Sequence, residues 1–167
     1  MADFIYCLNS STIRPTPILD KIRIAGETGY SAIELWHDDI DAHLANGGKL
    51  ADITKALSDH GLAVPTSIYI KGWFDTTGPE HARALEEAKR RMHQAVEVGA
   101  IHIISGPPGG MADHDLGARN YRELLELGLS IGVNDADGEG VGAVMSWGEG
   151  LPPLWNPRLF GSMTFVR

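Results

Sequence analysis

The chain has 167 residues, a length that predicts one domain, because domains commonly span roughly 100 to 200 residues. Hydrophobic residues make up 43% of the sequence and charged residues 22%, which argues against a chain that is disordered throughout. The 22 acidic side chains outnumber the 14 basic ones, and the net charge of -8 argues against sequence-independent binding to nucleic acid.

Neither a disulfide framework nor a membrane span is indicated. Cys7 is the only cysteine and therefore has no pairing partner within the chain. No run approaches the roughly 20 apolar residues of a transmembrane helix, and the first residues lack the pattern of a signal peptide. We therefore expect a cytoplasmic protein with no membrane or nucleic-acid partner.

Strand-like runs alternate with longer helical segments, the order typical of βα units around a parallel sheet. The predicted strands comprise residues 4–8, 32–36, 63–70 and 101–105. The predicted helices comprise about residues 18–28, 49–60, 77–98 and 120–131. The glycines that end these helices are Gly29, Gly61, Gly99 and Gly132. Their intervals of 32, 38 and 33 residues each fit one βα unit, so four units are predicted.

Each predicted helix carries apolar residues at spacings of three and four, which form one face directed at the sheet. These faces consist of Ile18, Ile22 and Ala25; Leu50, Ile53 and Leu57; Leu85, Ala88, Met92 and Ala95; and Tyr121, Leu124, Leu125 and Leu127. The core is therefore expected between the helices and the sheet.

The pattern stops after the fourth helix. Val133 resembles the first residue of a fifth strand, but residues 134–140 have neither strand nor helix character. The segment 134–167 contains six glycines and three prolines, and none of the chain's lysines or histidines. We expect residues 1–133 to be the folded domain and residues 134–167 to be an atypical, irregular tail, in which only 142–147 resembles a strand.

Four groups of residues in this order resemble the sugar phosphate isomerase/epimerase family with the xylose-isomerase-like TIM barrel. The groups are residues 9–14, then Ile33, Glu34, Leu35 and Trp36 with Asp39, Asp41, Gly47 and Gly48, then residues 84–90, then residues 105–110. The resemblance covers residues 1–133. It implies an α/β fold in which about four βα units of parallel sheet form the N-terminal half of a partial (β/α)8 TIM barrel.

The resemblance also implies a chemistry. Members of the family act on a sugar or sugar phosphate and isomerise or epimerise a ketose or hydroxy-ketone. A divalent metal (Mn, Mg, Co or Zn) is held by carboxylates and a histidine on the later strands, beginning with a glutamate on the fifth. The nearest candidate is Glu139, but its neighbours Gly138 and Gly140 supply no strand. The metal ligands therefore stay unknown, and we expect a truncated chain that binds no metal and is inactive alone.

Two hypotheses follow for the missing half. In the first, the reading frame shifted or the gene was cut near residue 134, so another frame of the genomic DNA should encode a strand carrying Glu and then an Asp/His strand. In the alternative, the chain is a non-enzymatic half barrel whose open strand edges pair with another copy, which makes it a homo-oligomer.

The candidate substrate-binding residues lie where the predicted strands end, because strand C-termini line the active site of such barrels. They are Asn9, Glu34, Trp36, His37, Trp73 and Ser105. Glu34 alternates with Ile33 and Leu35, so it is expected on the face opposite the helices, where it would accept sugar hydroxyls or join a polar network. The role of His37 as a substrate contact is implied by its second-strand position in the family.

Several of these residues have alternative interpretations. His37, Asp38, Asp39, Asp41 and His43 either form a loop that holds a cation or begin a helix rich in acids. Trp73, together with Phe74, either stacks on the apolar face of a sugar or simply packs within the protein. Residues 106–110 are predicted as a rigid turn rather than an anion site, because two prolines remove backbone donors. Cys7 is expected to be a buried structural thiol, since no base is indicated beside it.

Overall fold

The structure, a computed structural model, describes residues 5–100, 102–106, 108 and 111–132, together with the backbone of two strands at 142–146 and 161–166. The strands are β1 (Cys7–Asn9), β2 (Ala32–Trp36), β3 (Thr66–Ile70), β4 (His102–Ser105), β5 (Gly142–Ser146) and β6 (Gly161–Val166). The helices are α1 (Ile18–Glu27), α2 (His37–Ala45), α3 (Leu50–Asp59), α4 (Gly78–Glu97) and α5 (His114–Gly132), and a 3-10 helix (Ser10–Ile13) follows β1.

The chain divides into two compact units. The first unit comprises Met1–Ile68 and Gln94–Ile101, and the second comprises Tyr69–His93 and His102–Arg167. No helix in the described part of the chain is long and apolar enough to cross a bilayer.

The first unit is built on parallel strands. β1 pairs with β2 so that Asn9 lies opposite Glu34, and β2 pairs with β3 so that Trp36 lies opposite Ile68. α1 packs against β2 and α3, as its predicted apolar face requires. The buried apolar side chains of this unit include Ile18, Ile22, Ala25, Ile33, Leu35, Ile40, Ile53 and Leu57. Gly61 follows α3 with a φ of 63°, which suits the predicted left-handed helix end.

The second unit contains β4, which pairs antiparallel with β6, and β6 in turn pairs antiparallel with β5. Its buried apolar side chains include Ile70, Trp73, Phe74, Ala88, Met92, Ile103, Tyr121 and Leu124. β5 agrees with the strand that the sequence indicated near 142–147. β6 was not predicted, so the expectation of an otherwise irregular tail is wrong at residues 161–166. Val133 and residues 134–141 lie outside the described residues.

Several element boundaries differ from the predictions, and β3 begins at Thr66 rather than at residue 63. β1 begins at Cys7 and extends to Asn9, whereas residues 4–8 were expected. α2 occupies a segment read as a loop or as the start of a helix, and its weak apolar face made it hard to predict. α5 begins six residues earlier than expected, because the Asp113 carboxylate accepts a hydrogen bond from the backbone N–H of Leu116 and so satisfies one of its first donors.

Candidate functional site

Three of the six predicted site residues meet where β1 and β2 end. The Asn9 side-chain amide donates to Glu34 Oε2 at 2.8 Å, and Trp36 Nε1 donates to Asn9 Oδ1 at 3.1 Å. The backbone N–H of Ser11 donates to the same Asn9 oxygen at 2.9 Å. These bonds fix the orientation of the Asn9 side chain: its Oδ1 accepts two hydrogen bonds, and its Nδ2 donates one to the Glu34 carboxylate. We call this set the Asn9–Glu34–Trp36 network.

The strand geometry explains why these residues meet. The β1–β2 register places Asn9 opposite Glu34, and the two-residue repeat of a strand places Trp36 on the same face as Glu34. Ile33 and Leu35 are fully buried, whereas Glu34 and Trp36 are only half-buried. The predicted orientation of Glu34 opposite its apolar neighbours is therefore confirmed.

A buried ion pair lies beside this network. Lys21 of α1 donates to Asp39 Oδ2 of α2 at 2.7 Å, and the Ser10 hydroxyl donates to the same oxygen at 3.2 Å. The Lys21 side chain is 1% exposed and that of Asp39 is 21% exposed. Asp39 lies in the first turn of α2, where the helix dipole favours a negative charge. The pair connects the two helices that follow β1 and β2.

A pocket of about 260 Å³ opens between these groups. Its lining residues are Ser11, Arg14, Lys21, Trp36, Asp38 and Asp39. The Arg14 guanidinium carbon lies 5.6 Å from the centroid of the Trp36 ring, within the range of a cation–π contact. The pocket therefore combines an aromatic wall with charges of both signs.

His37 is the first residue of α2, and its side chain is buried. Its Nδ1 lies 2.9 Å from Gln94 Oε1, and Gln94 Nε2 donates to Asp41 Oδ1 at 2.8 Å. Because the Gln94 nitrogen faces the Asp41 carboxylate, the Gln94 oxygen faces His37, which favours a proton on Nδ1. The role of His37 as a substrate contact stays a prediction.

Trp73 and Ser105 belong to the second unit, and both are buried. The Trp73 ring lies 5.2 Å from that of Phe74 and 5.6 Å from that of Tyr121, which fits the packing alternative. Ser105 ends β4, and among the described residues its hydroxyl has no hydrogen-bond partner. Their substrate-binding roles also stay predictions.

Residues 37–43 lie in α2 and do not form a cation-binding loop, in agreement with the helical alternative. In the part of the chain that the structure describes, no three His, Cys, Asp or Glu side chains come together as ligands for a metal ion. Glu139, the candidate ligand after the fourth unit, lies outside that part. The described residues therefore do not form the donor set of a divalent metal, which requires several oxygen or nitrogen ligands.

Cys7 is exposed, so the expectation of a buried thiol is wrong. β1 is only three residues long, and Cys7 lies at its start, where little of the chain covers it. The pKa of Cys7 is raised, first by partial desolvation and second by the nearby Glu34 carboxylate. A raised pKa keeps the thiol protonated at neutral pH, which disfavours a nucleophilic role.

Several residues of this site were not predicted from the sequence. Lys21 falls among the apolar positions of the first predicted helix, between Ile18 and Ile22, and a lysine in such a position signals a buried ion pair. Gln94 left no comparable signal, because 57 residues separate it from His37.

Comparisons with solved structures agree with this fold. A protein from Sinorhizobium meliloti 1021 is 22% identical, covers 75% of this chain and 46% of its own, and superposes with a TM-score of 0.62. A xylose isomerase domain containing protein from Salmonella typhimurium LT2 is 15% identical, covers 74% of this chain and 44% of its own, and has a TM-score of 0.62. An AP endonuclease, family 2, from Brucella melitensis is 16% identical, covers 76% and 50%, and has a TM-score of 0.55.

The chain therefore has the α/β fold of part of a xylose isomerase-like TIM barrel, over about three quarters of its length, as the resemblance implied. It spans half or less of the length of these structures. No protein-family model matches the sequence, and no curated protein matches it.

Proposed function

We propose that the Asn9–Glu34–Trp36 network and its adjoining pocket bind a ketose or hydroxy-ketone, as the substrate-binding side of a sugar isomerase or epimerase. The observation that carries the proposal is the network's position where β1 and β2 end, in a chain with a xylose isomerase-like fold. Active sites of such barrels lie at the carboxyl ends of the strands.

Each residue of the network has chemistry suited to a sugar. The Glu34 carboxylate accepts hydrogen bonds from hydroxyl groups, and its contact with Asn9 holds it in place. The half-buried Trp36 offers an apolar surface for the carbon-bound hydrogens of a sugar, while its N–H is held by Asn9. Binding and orientation are thus the tasks that these residues perform.

Turnover requires more than this network. Moving a proton between adjacent carbons needs a base that removes the proton and an acid that delivers one, and a divalent metal, when bound, polarises the carbonyl. The network contains one carboxylate, and the described residues form no metal site. We therefore propose that the chain alone binds its ligand without appreciable catalysis.

Titration calorimetry of the full chain with D-fructose tests the binding site. Glu34→Gln should weaken binding roughly tenfold, since a hydrogen bond to a charged group contributes about 1.5 to 3 kcal/mol. Trp36→Leu should also weaken binding, because it removes the aromatic surface against which the sugar packs. Arg23→Gln is the control, because Arg23 lies on the exposed face of α1 and pairs with Asp20 and Glu27. Binding that neither site variant changes would refute the site.

A ketose epimerisation assay with added Mn²⁺ tests the second part of the proposal. We expect no product above the background of a protein-free sample. Turnover that rises with protein concentration and is lost in Glu34→Gln would show instead that the chain is an active enzyme.

One observation favours the non-enzymatic alternative, in which the chain associates with itself. Among the strands that the structure describes, β1 pairs with β2 alone, so its other edge has no partner there. The two residues before it, Ile5 and Tyr6, are 70% and 71% exposed. An unpaired edge beside exposed apolar side chains is a typical site of association.

A further inference from the structure

Arg14 occupies a distinctive place in the first unit. It directly follows the 3-10 helix after β1 and contacts the Trp36 ring. It lines the 260 Å³ pocket described above and an adjoining pocket of about 350 Å³ that extends along residues 15–18 to α2. A ligand in either pocket would therefore lie next to Arg14.

Two cations line the 260 Å³ pocket, Arg14 and Lys21, and only Lys21 is in an ion pair among the described residues. Lys21, the other cation of the lining, is paired with Asp39. Among the described residues, the Arg14 guanidinium makes no ion pair and donates no hydrogen bond. Its only polar interaction there is the cation–π contact with Trp36. By contrast, Arg23 on the outer face of α1 is paired with two carboxylates.

An arginine that contacts an aromatic ring but has no ion pair is well suited to bind an oxyanion. A cation–π contact engages the π system of the ring and leaves the guanidinium N–H groups available as donors. These donors form a planar fork that matches a carboxylate or a phosphate with two parallel hydrogen bonds. Asp38, also on the lining, is exposed, so water and salt screen its repulsion of an anion.

We propose that Arg14 is a specificity residue that binds the oxyanion of an acidic ketose derivative, either a carboxylate or a phosphate. The inference rests on the proposed function, because the carbohydrate part of the ligand would lie against the Asn9–Glu34–Trp36 network. A ligand that joins the two features carries its hydroxyl groups toward Glu34 and its anionic group toward Arg14.

Three ligands with one carbon skeleton test the inference by titration calorimetry: D-fructose, D-fructose 6-phosphate and D-fructuronate. The full chain should bind at least one of the anionic ligands about tenfold more tightly than D-fructose, and the stronger of the two identifies the oxyanion. Arg14→Gln should lower the affinity for the anionic ligands more than the affinity for D-fructose, and should so abolish this preference. Arg14→Lys should restore only part of it, because an ammonium group lacks the fork.

Arg23→Gln is the matched control, because it removes the same charge from the same unit and should keep the preference. Equal affinities of the wild-type chain for all three ligands, or equal losses in Arg14→Gln, would overturn the role of Arg14 and leave the sugar site intact. Binding of the phosphate ester that depends on Arg14 but not on Glu34 would retain the anion site and remove the sugar site. Failure of all three ligands to bind would contradict both proposals.

Discussion

The surroundings of a charged side chain determine whether it can be buried, as Lys21 shows. Lys21 stands among the apolar positions of α1, where an isolated ammonium group would lose its hydration at a large cost in free energy. Asp39 supplies the opposite charge, and Ser10 donates a further hydrogen bond to the same carboxylate. The pair links α1 to α2 next to the pocket.

Lys21→Met removes one partner of this pair. We expect a loss of roughly 2 to 3 kcal/mol in the free energy of unfolding, less than for a fully buried pair because Asp39 is 21% exposed. Urea denaturation followed by circular dichroism measures it. Lys55→Met is the control: Lys55 is 74% exposed in its pair with Asp59, so the loss there should stay below about 1 kcal/mol. Similar losses in the two variants would contradict a structural role for the buried pair.

Glu87 of α4 provides a prediction of pH dependence. Hydrogen bonds from Arg90, and then from Arg91, lower the pKa of Glu87 from 4.5 to about 2, against the opposing effect of desolvation. A carboxyl group whose pKa is lower in the folded state stabilises the fold above its unfolded pKa. This contribution should therefore be present at neutral pH and be lost as the pH falls from about 5 to 2.

The size of this effect is limited, because the Glu87 side chain is 41% exposed and solvent screens the pair; we expect about 1 kcal/mol. Glu87→Gln should lower the free energy of unfolding at pH 7 and leave it nearly unchanged near pH 2. An NMR titration of the Glu87 carboxyl carbon measures the pKa directly. A midpoint near 4.5 would show that the two arginines do not hold the carboxylate.

At the scale of elements, side chains connect segments that lie far apart in the sequence. The buried Asn120 of α5 donates from Nδ2 to the backbone oxygens of Trp73, Phe74 and Thr76, at 2.9 to 3.0 Å. In this way α5 supplies a hydrogen-bond donor to three carbonyl groups of the segment after β3, two of which belong to the buried residues Trp73 and Phe74. The contact also explains the buried position of Trp73, for which the sequence suggested sugar stacking as one alternative.

Asn120→Asp replaces this donor with a carboxylate that faces three carbonyl oxygens. We expect the free energy of unfolding to fall by roughly 2 to 3 kcal/mol, because buried acceptors lose their donor. Thermal unfolding followed by circular dichroism measures the loss. The comparison is Asn46→Ala, which removes a single exposed bond to Ala42 and should cost less than about 1 kcal/mol. If Asn120→Asp unfolds at the wild-type temperature, the segment after β3 does not depend on this side chain.

At the scale of the whole chain, this protein is much shorter than solved structures with the same fold. The chain spans 44% and 46% of two structures that it resembles. The fold of those proteins continues beyond the matched part, and among the described residues of this chain the outer edge of β1 has no partner.

Association through β1 is a prediction at this scale. Size-exclusion chromatography of the wild-type chain over a range of concentrations should show a shift toward species larger than the monomer. Tyr6→Lys should reduce the shift, because a lysine beside a strand edge opposes pairing with another chain. Lys71→Glu controls for a general effect of charge, since Lys71 is exposed and lies outside β1. A wild-type chain that elutes as a monomer at every concentration would exclude self-association.

Local patterns in the sequence were enough to predict much of the fold. The two-residue repeat in β2 and the three- and four-residue spacings of the helices reflect burial on one face, which each segment encodes in its own residues. The same repeat placed Glu34 on the face opposite Ile33 and Leu35. α2 was harder to predict because its segment carries few apolar residues, and the start of α5 because its capping residue precedes the apolar run.

The partners of the polar side chains could not be obtained in this way. Asn9 and Glu34 are 25 residues apart, Lys21 and Asp39 are 18 apart, and His37 and Gln94 are 57 apart. Such pairs form when strand register and helix packing bring distant segments together, and no local repeat records them. Local burial patterns thus specify the strands, the helices and the direction of a side chain, whereas long-range packing determines which charges are neutralised and leaves Arg14 without a carboxylate among the described residues.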